Sequence, residues 1–283
     1  MRPLDLGETF DAAFGIVRER WRTLVVVMAV VAVPVELLSL LVTALTTDRH
    51  DVASGGLLTG TDYGSDGAGL AGGAIVATLA IVGYLLGTVA CYRAVTDTYA
   101  GRETSAEASL RFAGERLGPA LWLMILILLG LVAGFLACVV PGVWLAIAWS
   151  VAMPVLLVEG RHGVPALRRS AELVRDRWWA TFGKLFVAYV LALVASGVVS
   201  AVLTTPVSVA AGSDSFAALA VQHLASALTS LVTTPFVAAV TALVYFDLRA
   251  RKEGFDPRDG GTPAPSGGEP PARGPWLPPV PPA

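Results

Sequence analysis

The sequence predicts an all-α fold: a polytopic membrane helical bundle of six transmembrane helices in three repeats, each an interfacial amphipathic helix plus a two-span hairpin. Three observations carry that expectation. Six long apolar blocks punctuate the chain, basic residues occupy only alternate gaps between them, and an amphipathic segment precedes the first, third and fifth blocks. Composition agrees, since 55% hydrophobic residues, 15% charged residues and a mean hydropathy of +0.67 describe a chain too apolar for an ordinary soluble domain.

The blocks lie at about 23–45, 70–92, 121–140, 143–158, 182–203 and 224–245. Most reach the roughly 20 residues that an α-helix needs to cross about 30 Å of hydrocarbon. They are continuously apolar and lack the two-residue alternation of a barrel strand, so they read as helices. All of the 20 Lys and Arg residues except Arg49 fall before the first block, between the second and third, between the fourth and fifth, or after the sixth, with Lys184 just inside the fifth. Basic loops stay cytoplasmic. The expectation is therefore a multi-pass plasma-membrane protein with both termini in the cytoplasm. A net charge of −2 gives no reason to invoke nucleic acid. The first block follows a stretch containing Asp5, Glu8, Asp11 and Glu19 and exceeds a signal-peptide core in length, so it reads as an uncleaved span.

The membrane domain is expected over 1–252, with interfacial helices at about 5–22, 105–117 and 164–178. In the first, Leu6, Phe10, Ala13, Phe14, Val17 and Trp21 recur at helical spacing opposite Glu8, Asp11, Arg18, Glu19 and Arg22, with Asp5 and Glu8 as a capping box. In the third, Val164, Leu167, Ala171, Val174 and Trp178 oppose Arg168, Arg169, Glu172 and Arg175, and Pro165 takes a first-turn position. The two also match locally, Ile16-Val17-Arg18-Glu19-Arg20-Trp21 against Leu173-Val174-Arg175-Asp176-Arg177-Trp178. A weaker copy has Thr104 and Glu107 as its cap and Ala106, Leu110, Ala113 and Leu117 as its stripe. The repetition implies duplication of one unit, with all copies entering from the same side. Bracing the bundle is the ordinary role for such helices. Their functional role would be a cytoplasmic docking face for a protein or anionic headgroups, with Arg18, Arg22, Arg168, Arg169 and Arg175 as the candidate basic face.

Between the first two spans lies a polar loop whose Asp62 and Asp66 lack the spacing of a calcium loop. Pro141-Gly142 reads as a tight turn between the third and fourth spans. The fourth block is short and contains Pro154; it reads as a short span, with a re-entrant helix as the alternative. Residues 204–223 carry no basic residue and leave room for a short outer helix. Residues 253–283 are Pro- and Gly-rich and read as a disordered cytoplasmic tail, with Trp276-Leu277-Pro278-Pro279 as a linear-motif candidate. Cys91 and Cys138 sit at opposite expected depths and read as small apolar packing residues rather than a disulfide.

Glu36 is the costly residue. A mid-span acid costs on the order of 2.5–3.5 kcal/mol on insertion scales. Its helical neighbours Ala29, Ala32, Ser39 and Thr43 form a small, polar stripe that points it into the bundle. The sixth span offers His223, Ser226, Ser230, Thr233 and Thr234 before Pro235, and depth counting pairs Glu36 with Ser230 to Thr234. The candidate intramembrane polar site is thus Glu36, Ser39, Ser230, Thr233 and Thr234; the ordinary alternative is a satisfied contact beside a Pro34 kink. Gly83 and Gly87, and Gly130 and Gly134, read as close-packing pairs, with dimerisation as the alternative, and Lys184 is expected to snorkel to the cytoplasm. No metal-ligand cluster, phosphate loop, nucleophile elbow or dinucleotide fingerprint is present, so no cofactor and no catalytic residue is expected.

Three motifs carry a resemblance: Pro141-Gly142-Val143-Trp144-Leu145, the Ala166-Leu167-Arg168-Arg169-Ser170 helix through Arg177-Trp178-Trp179, and Tyr245-Phe246-Asp247-Leu248-Arg249 to Glu253-Gly254-Phe255. Together, over roughly 2–255, they resemble bacterial, especially actinobacterial, six-span proteins similar to the membrane domain of glycerophosphoryl diester phosphodiesterases. The resemblance implies a membrane part without the soluble barrel that holds the metal and the phosphodiester chemistry. The leading expectation is a non-enzymatic scaffold or regulatory membrane domain with the lipid bilayer and a membrane or cytoplasmic protein as partners. The second is a transporter or lipid-handling protein with a polar cavity around Glu36.

Overall fold

The computed structural model describes residues 6–46, 67–99, 105–212 and 215–253, and every element within them is helical. The elements are α1 (Leu6–Glu19), α2 (Trp21–Thr46), α3 (Gly67–Tyr99), α4 (Ala106–Ala137), α5 (Val139–Ala148), α6 (Ala152–Pro154), a π-helical turn (Val155–Glu159), α7 (Val164–Val174), a 3-10 turn (Arg175–Arg177), α8 (Trp178–Ala211) and α9 (Phe216–Glu253). Among the described residues, six stretches are long and apolar enough to cross a membrane: Trp21–Leu45, Leu70–Thr98, Ala106–Ala137, Val139–Glu159, Val164–Ala211 and Phe216–Glu253. The chain is an all-α polytopic bundle. The loop holding Asp62 and Asp66, the tail beyond 253, Asp5 and Thr104 lie outside the described residues.

Helix α9 is the centre of the bundle. From Pro235 to Phe246 its side chains are buried almost all round, the pattern of a helix with no solvent- or lipid-facing side. Around it pack α1, α2, α3 and α8. The outer helices instead expose large apolar side chains, among them Leu41 on α2, Leu128 and Leu136 on α4, and Leu193 and Val202 on α8. Such surfaces suit hydrocarbon, where association rests on close van der Waals fit rather than on expelling water. Both glycine pairs supply that fit within the chain. A Cβ at Gly83 would meet Val35 at 2.9 Å, one at Gly87 the Met28 sulfur at 2.9 Å, one at Gly130 the Trp149 ring at 2.3 Å, and one at Gly134 the Gly142 Cα at 3.1 Å.

Several boundaries differ from expectation. The interfacial helix and span of the middle unit form one helix, α4, running through Pro119; its cap is the Ser105 hydroxyl, which accepts from the Ala108 N–H at 3.1 Å, rather than Thr104 with Glu107. The α4–α5 turn is made by extended Cys138, and Pro141-Gly142 lies inside α5, where proline costs little because first-turn N–H groups lack helical partners. Cys138 is accordingly exposed, and only Cys91 packs in the core. The fourth span is broken into α5, α6 and the π turn rather than one short helix. In place of a short outer helix over 204–223, α8 and α9 run on past the expected span ends and are separated around Gly212. Lys184 does not reach outward: it is buried and bonded to Asp247 at 3.0 Å.

In the outer two units the break falls where the local repeat places it, with Trp21 opening α2 and Trp178 opening α8. The buried faces are rotated from the expected stripes. In α1 they are Thr9, Phe10, Ala13 and Ile16, while Leu6, Phe14 and Trp21 are exposed. The Phe10 and Phe14 rings lie 6.2 and 4.9 Å from that of Phe236, so α1 is packed onto the bundle.

Candidate functional site

Glu36 has a partner in α9, two to three turns from the predicted one. Its Oε2 lies 2.6 Å from Nδ1 of His223, and both side chains are partly buried. This bond satisfies the carboxyl that costs most in the span. Ser39, one turn further along α2, is buried. Ser230 and Thr233 donate to carbonyls of their own helix, Ala227 at 2.8 Å and Thr229 at 2.9 Å, the usual arrangement for a hydroxyl on a membrane helix. Thr233 and Thr234 face a different space from Glu36, so the predicted site divides in two.

That second space is a cleft. Two cavities, of about 420 Å³ and 510 Å³, share Tyr84, Thr88, Tyr92 and Tyr189. Ser196, Thr233 and Thr234 line the first; Trp149, Ser150, Phe186 and Thr241 line the second. Tyr84 and Tyr189 are exposed at the cleft's edge, and Tyr92 is buried at its floor. The signal was present in the sequence, because Tyr84, Thr88 and Tyr92 recur every four residues and must share a face of α3. Thr88 is 8% exposed, and its Oγ1 is buried with no hydrogen-bond partner. A threonine on a helix ordinarily satisfies itself on a carbonyl of the preceding turn, as Thr78, Thr98 and Thr241 do here.

At the C-terminal end of α9 an ionic network ties three elements together. The π turn, closed by Gly160 at φ +67°, delivers Glu159, whose side chain is only 8% exposed. Arg169 and Arg161 reach Glu159 at 3.1 and 3.2 Å, and the Tyr245 hydroxyl donates to it at 3.1 Å. Arg169 also pairs with Glu253, to which Arg249 binds at 2.9 Å. Nearby, Asp247 holds Lys184 at 3.0 Å and Arg251 at 2.9 Å, and Lys252 holds Asp176 at 2.7 Å. Two further bonds bring in α5: the Ser170 hydroxyl donates to the Ala148 carbonyl at 2.7 Å, and the Trp178 indole to the Trp144 carbonyl at 3.3 Å. The three motifs that carry the resemblance are thus one assembled structure over their described residues. Of the candidate basic face, Arg18, Arg22, Arg168 and Arg175 are exposed, whereas Arg169 is consumed by the network. Among the described residues no group of three His, Cys, Asp or Glu side chains is placed to hold a metal ion.

Comparison with known proteins finds one family. A family model described as Domain of unknown function (DUF7847) matches residues 104–248. Neither the curated proteins nor the solved structures contain a match. The matched segment starts at α4, ends within α9, and includes both walls of the cleft contributed by α8 and α9 and most of the ionic network. It covers just over half of the sequence, and the chain belongs to the Domain of unknown function (DUF7847) family.

Proposed function

We propose that the chain is a lipid-binding protein of a bacterial plasma membrane, with both termini cytoplasmic and no catalytic centre of its own, whose hydroxyl-lined cleft takes an amphiphile from the bilayer. The observation that carries this reading is Thr88. A buried hydroxyl left without a partner costs roughly 1–3 kcal/mol. Here it lines both cavities, whose edge is formed by the exposed Tyr84 and Tyr189. A ligand with an apolar body and one polar group fits that lining, since predominantly apolar pockets with a few placed polar groups are how small molecules are held. The ester carbonyl or hydroxyl of a diacylglycerol-like molecule supplies what Thr88 lacks.

The test is photo-crosslinking of the purified full chain in lipid nanodiscs with a diacylglycerol carrying a diazirine on one acyl chain. Label is expected on the peptides around Tyr84–Tyr92 and Tyr189–Ser196, and Thr88→Val should lower it about fivefold, the worth of one hydrogen bond. Labelling spread evenly over exposed outer positions such as Leu136 and Val198 would rule the cleft out as a binding site.

A second reading, a scaffold, draws support from the ionic network, which holds α7 and the 3-10 turn after it so that Arg168 and Arg175 are displayed to a cytoplasmic partner. Its test is crosslinked partner recovery from the native membrane with and without Arg168→Ala and Arg175→Ala. Recovery of the same proteins from both would dismiss those residues as the docking face.

A further inference from the structure

We propose that a second site, separate from the hydroxyl-lined cleft, binds the headgroup and upper chain of an anionic phospholipid between the start of α5 and the α7–α8 junction. A cavity of about 730 Å³ opens there, lined by Val139, Val140, Val143 and Trp144 on one side and Arg175, Arg177, Trp178 and Trp179 on the other. Its volume is in the range of ligand pockets that hold a headgroup-sized molecule.

The two sides differ in chemistry. Val139 and Val140 are 65% and 74% exposed, an apolar wall suited to an acyl chain. Opposite them, Arg175 and Arg177 are exposed and make no ion pair among the described residues. The one acid of the lining, Asp176, is shared between Lys252, to which it is bonded at 2.7 Å, and the charge of Arg175. With Lys252 at its rim, that side carries net positive charge, and the guanidinium groups of Arg175 and Arg177 have planar donor forks that match phosphate oxygens. Tryptophans flank them, the side chains that favour the headgroup level of a bilayer. The Trp178 indole bond to the Trp144 carbonyl holds the apolar wall and the cationic edge in register, and it brings the α4–α5 turn to the level of the α7–α8 junction, as the re-entrant alternative for the fourth block requires rather than a full crossing. A phosphodiester at the two arginines and hydrocarbon along the valines satisfies both at once. Charge complementarity selects an anionic lipid over a zwitterionic one, because a choline headgroup would bring its own cation to the arginines.

Native mass spectrometry of the full chain, titrated with phosphatidylglycerol or phosphatidylcholine, tests the site. Phosphatidylglycerol is expected to bind at least tenfold more tightly, and Arg175→Gln with Arg177→Gln should remove that preference, a loss of about thirtyfold for two basic contacts. Arg18→Gln with Arg22→Gln, which removes two equally exposed arginines from the first unit, should leave it intact. Equal losses from both pairs, or no loss from the first, would reduce the effect to general surface charge and overturn the site. Inorganic phosphate in millimolar excess should displace little of the lipid; full displacement would make it an anion site only. A phosphatidylglycerol carrying a diazirine near the glycerol provides a readout that needs no variant. It should label Val139 to Trp144 in the unaltered chain, and the absence of label there would refute the proposal. The cleft around Thr88 is read by its own diacylglycerol probe, so either site can fail without the other.

Discussion

The α1–α2 and α7–α8 junctions have nearly the same sequence and different surroundings. Arg18, Glu19, Arg20 and Trp21 correspond to Arg175, Asp176, Arg177 and Trp178, and both helix breaks fall before the tryptophan. Yet Trp178 is half-buried and bonded to Trp144, while Trp21 is 53% exposed with Arg22 over its ring at 5.5 Å. Asp176 is paired to α9, and the Nε of Arg20 is buried without a partner. The divergence traces to residues outside the matching hexapeptides. Arg169 corresponds to Ala12 and Lys184 to Val27, so the charges that lock α7 and α8 onto α9 have no counterpart in the first unit. There, Ala12 packs half-buried against the apolar core and Val27 is buried within it. One local sequence pattern thus occurs in both a packed apolar unit and an ionically tied one.

Removing Arg169 should break this difference most severely. Arg169→Ala leaves Glu159 nearly buried with only the more exposed Arg161 and the Tyr245 hydroxyl, a loss of about 3 kcal/mol, the low end of that for breaking a buried pair. Thermal unfolding in detergent micelles should register it, with Arg168→Ala as the near-neutral neighbour; equal effects from the two would mean that Glu159 does not depend on the pair. Lys184→Met, which makes the second unit more like the first at Val27, should cost about 2 kcal/mol, since a charged hydrogen bond is lost but Arg251 still serves Asp247. Stability unchanged in that variant would show the pair contributing nothing net. The smallest effect belongs to the tryptophans. Trp178→Phe should lose about 1 kcal/mol with its indole bond, and Trp21→Phe under about 0.5. A reversed order would undo the comparison.

Much of the architecture was legible in the sequence because it depends on period and composition. The apolar blocks, the amphipathic segments and the duplicated hexapeptide each rest on side chains a few residues apart. What was not legible depends on how far helices run and how they lean. Counting inward from block ends pairs Glu36 with Ser230–Thr234, but α9 starts at Phe216, so the start of the sixth block is no depth marker and His223 is the partner. The break at Cys138 is not visible in the sequence because proline and glycine inside the first turns of α5 look like a turn when read alone. The tyrosine face of α3 was readable as a pattern, but only the approach of α8 and α9 turns it into a cleft. The network escaped for the same reason, since Glu159 and Glu253 are far apart in the chain and meet only through Arg169.

Helix α9 has 38 residues, about 57 Å along its path against roughly 30 Å of hydrocarbon. A free helix of that length would choose its own lean in response to membrane thickness. This one is pinned near one end by Glu36 at His223 and at the other by Arg169 at Glu253. Its inclination is consequently set by the protein, and the surrounding lipid must thin, thicken or curve to meet it. A bundle anchored in this way imposes a shape on its membrane, and would be drawn toward bilayers whose thickness already suits it.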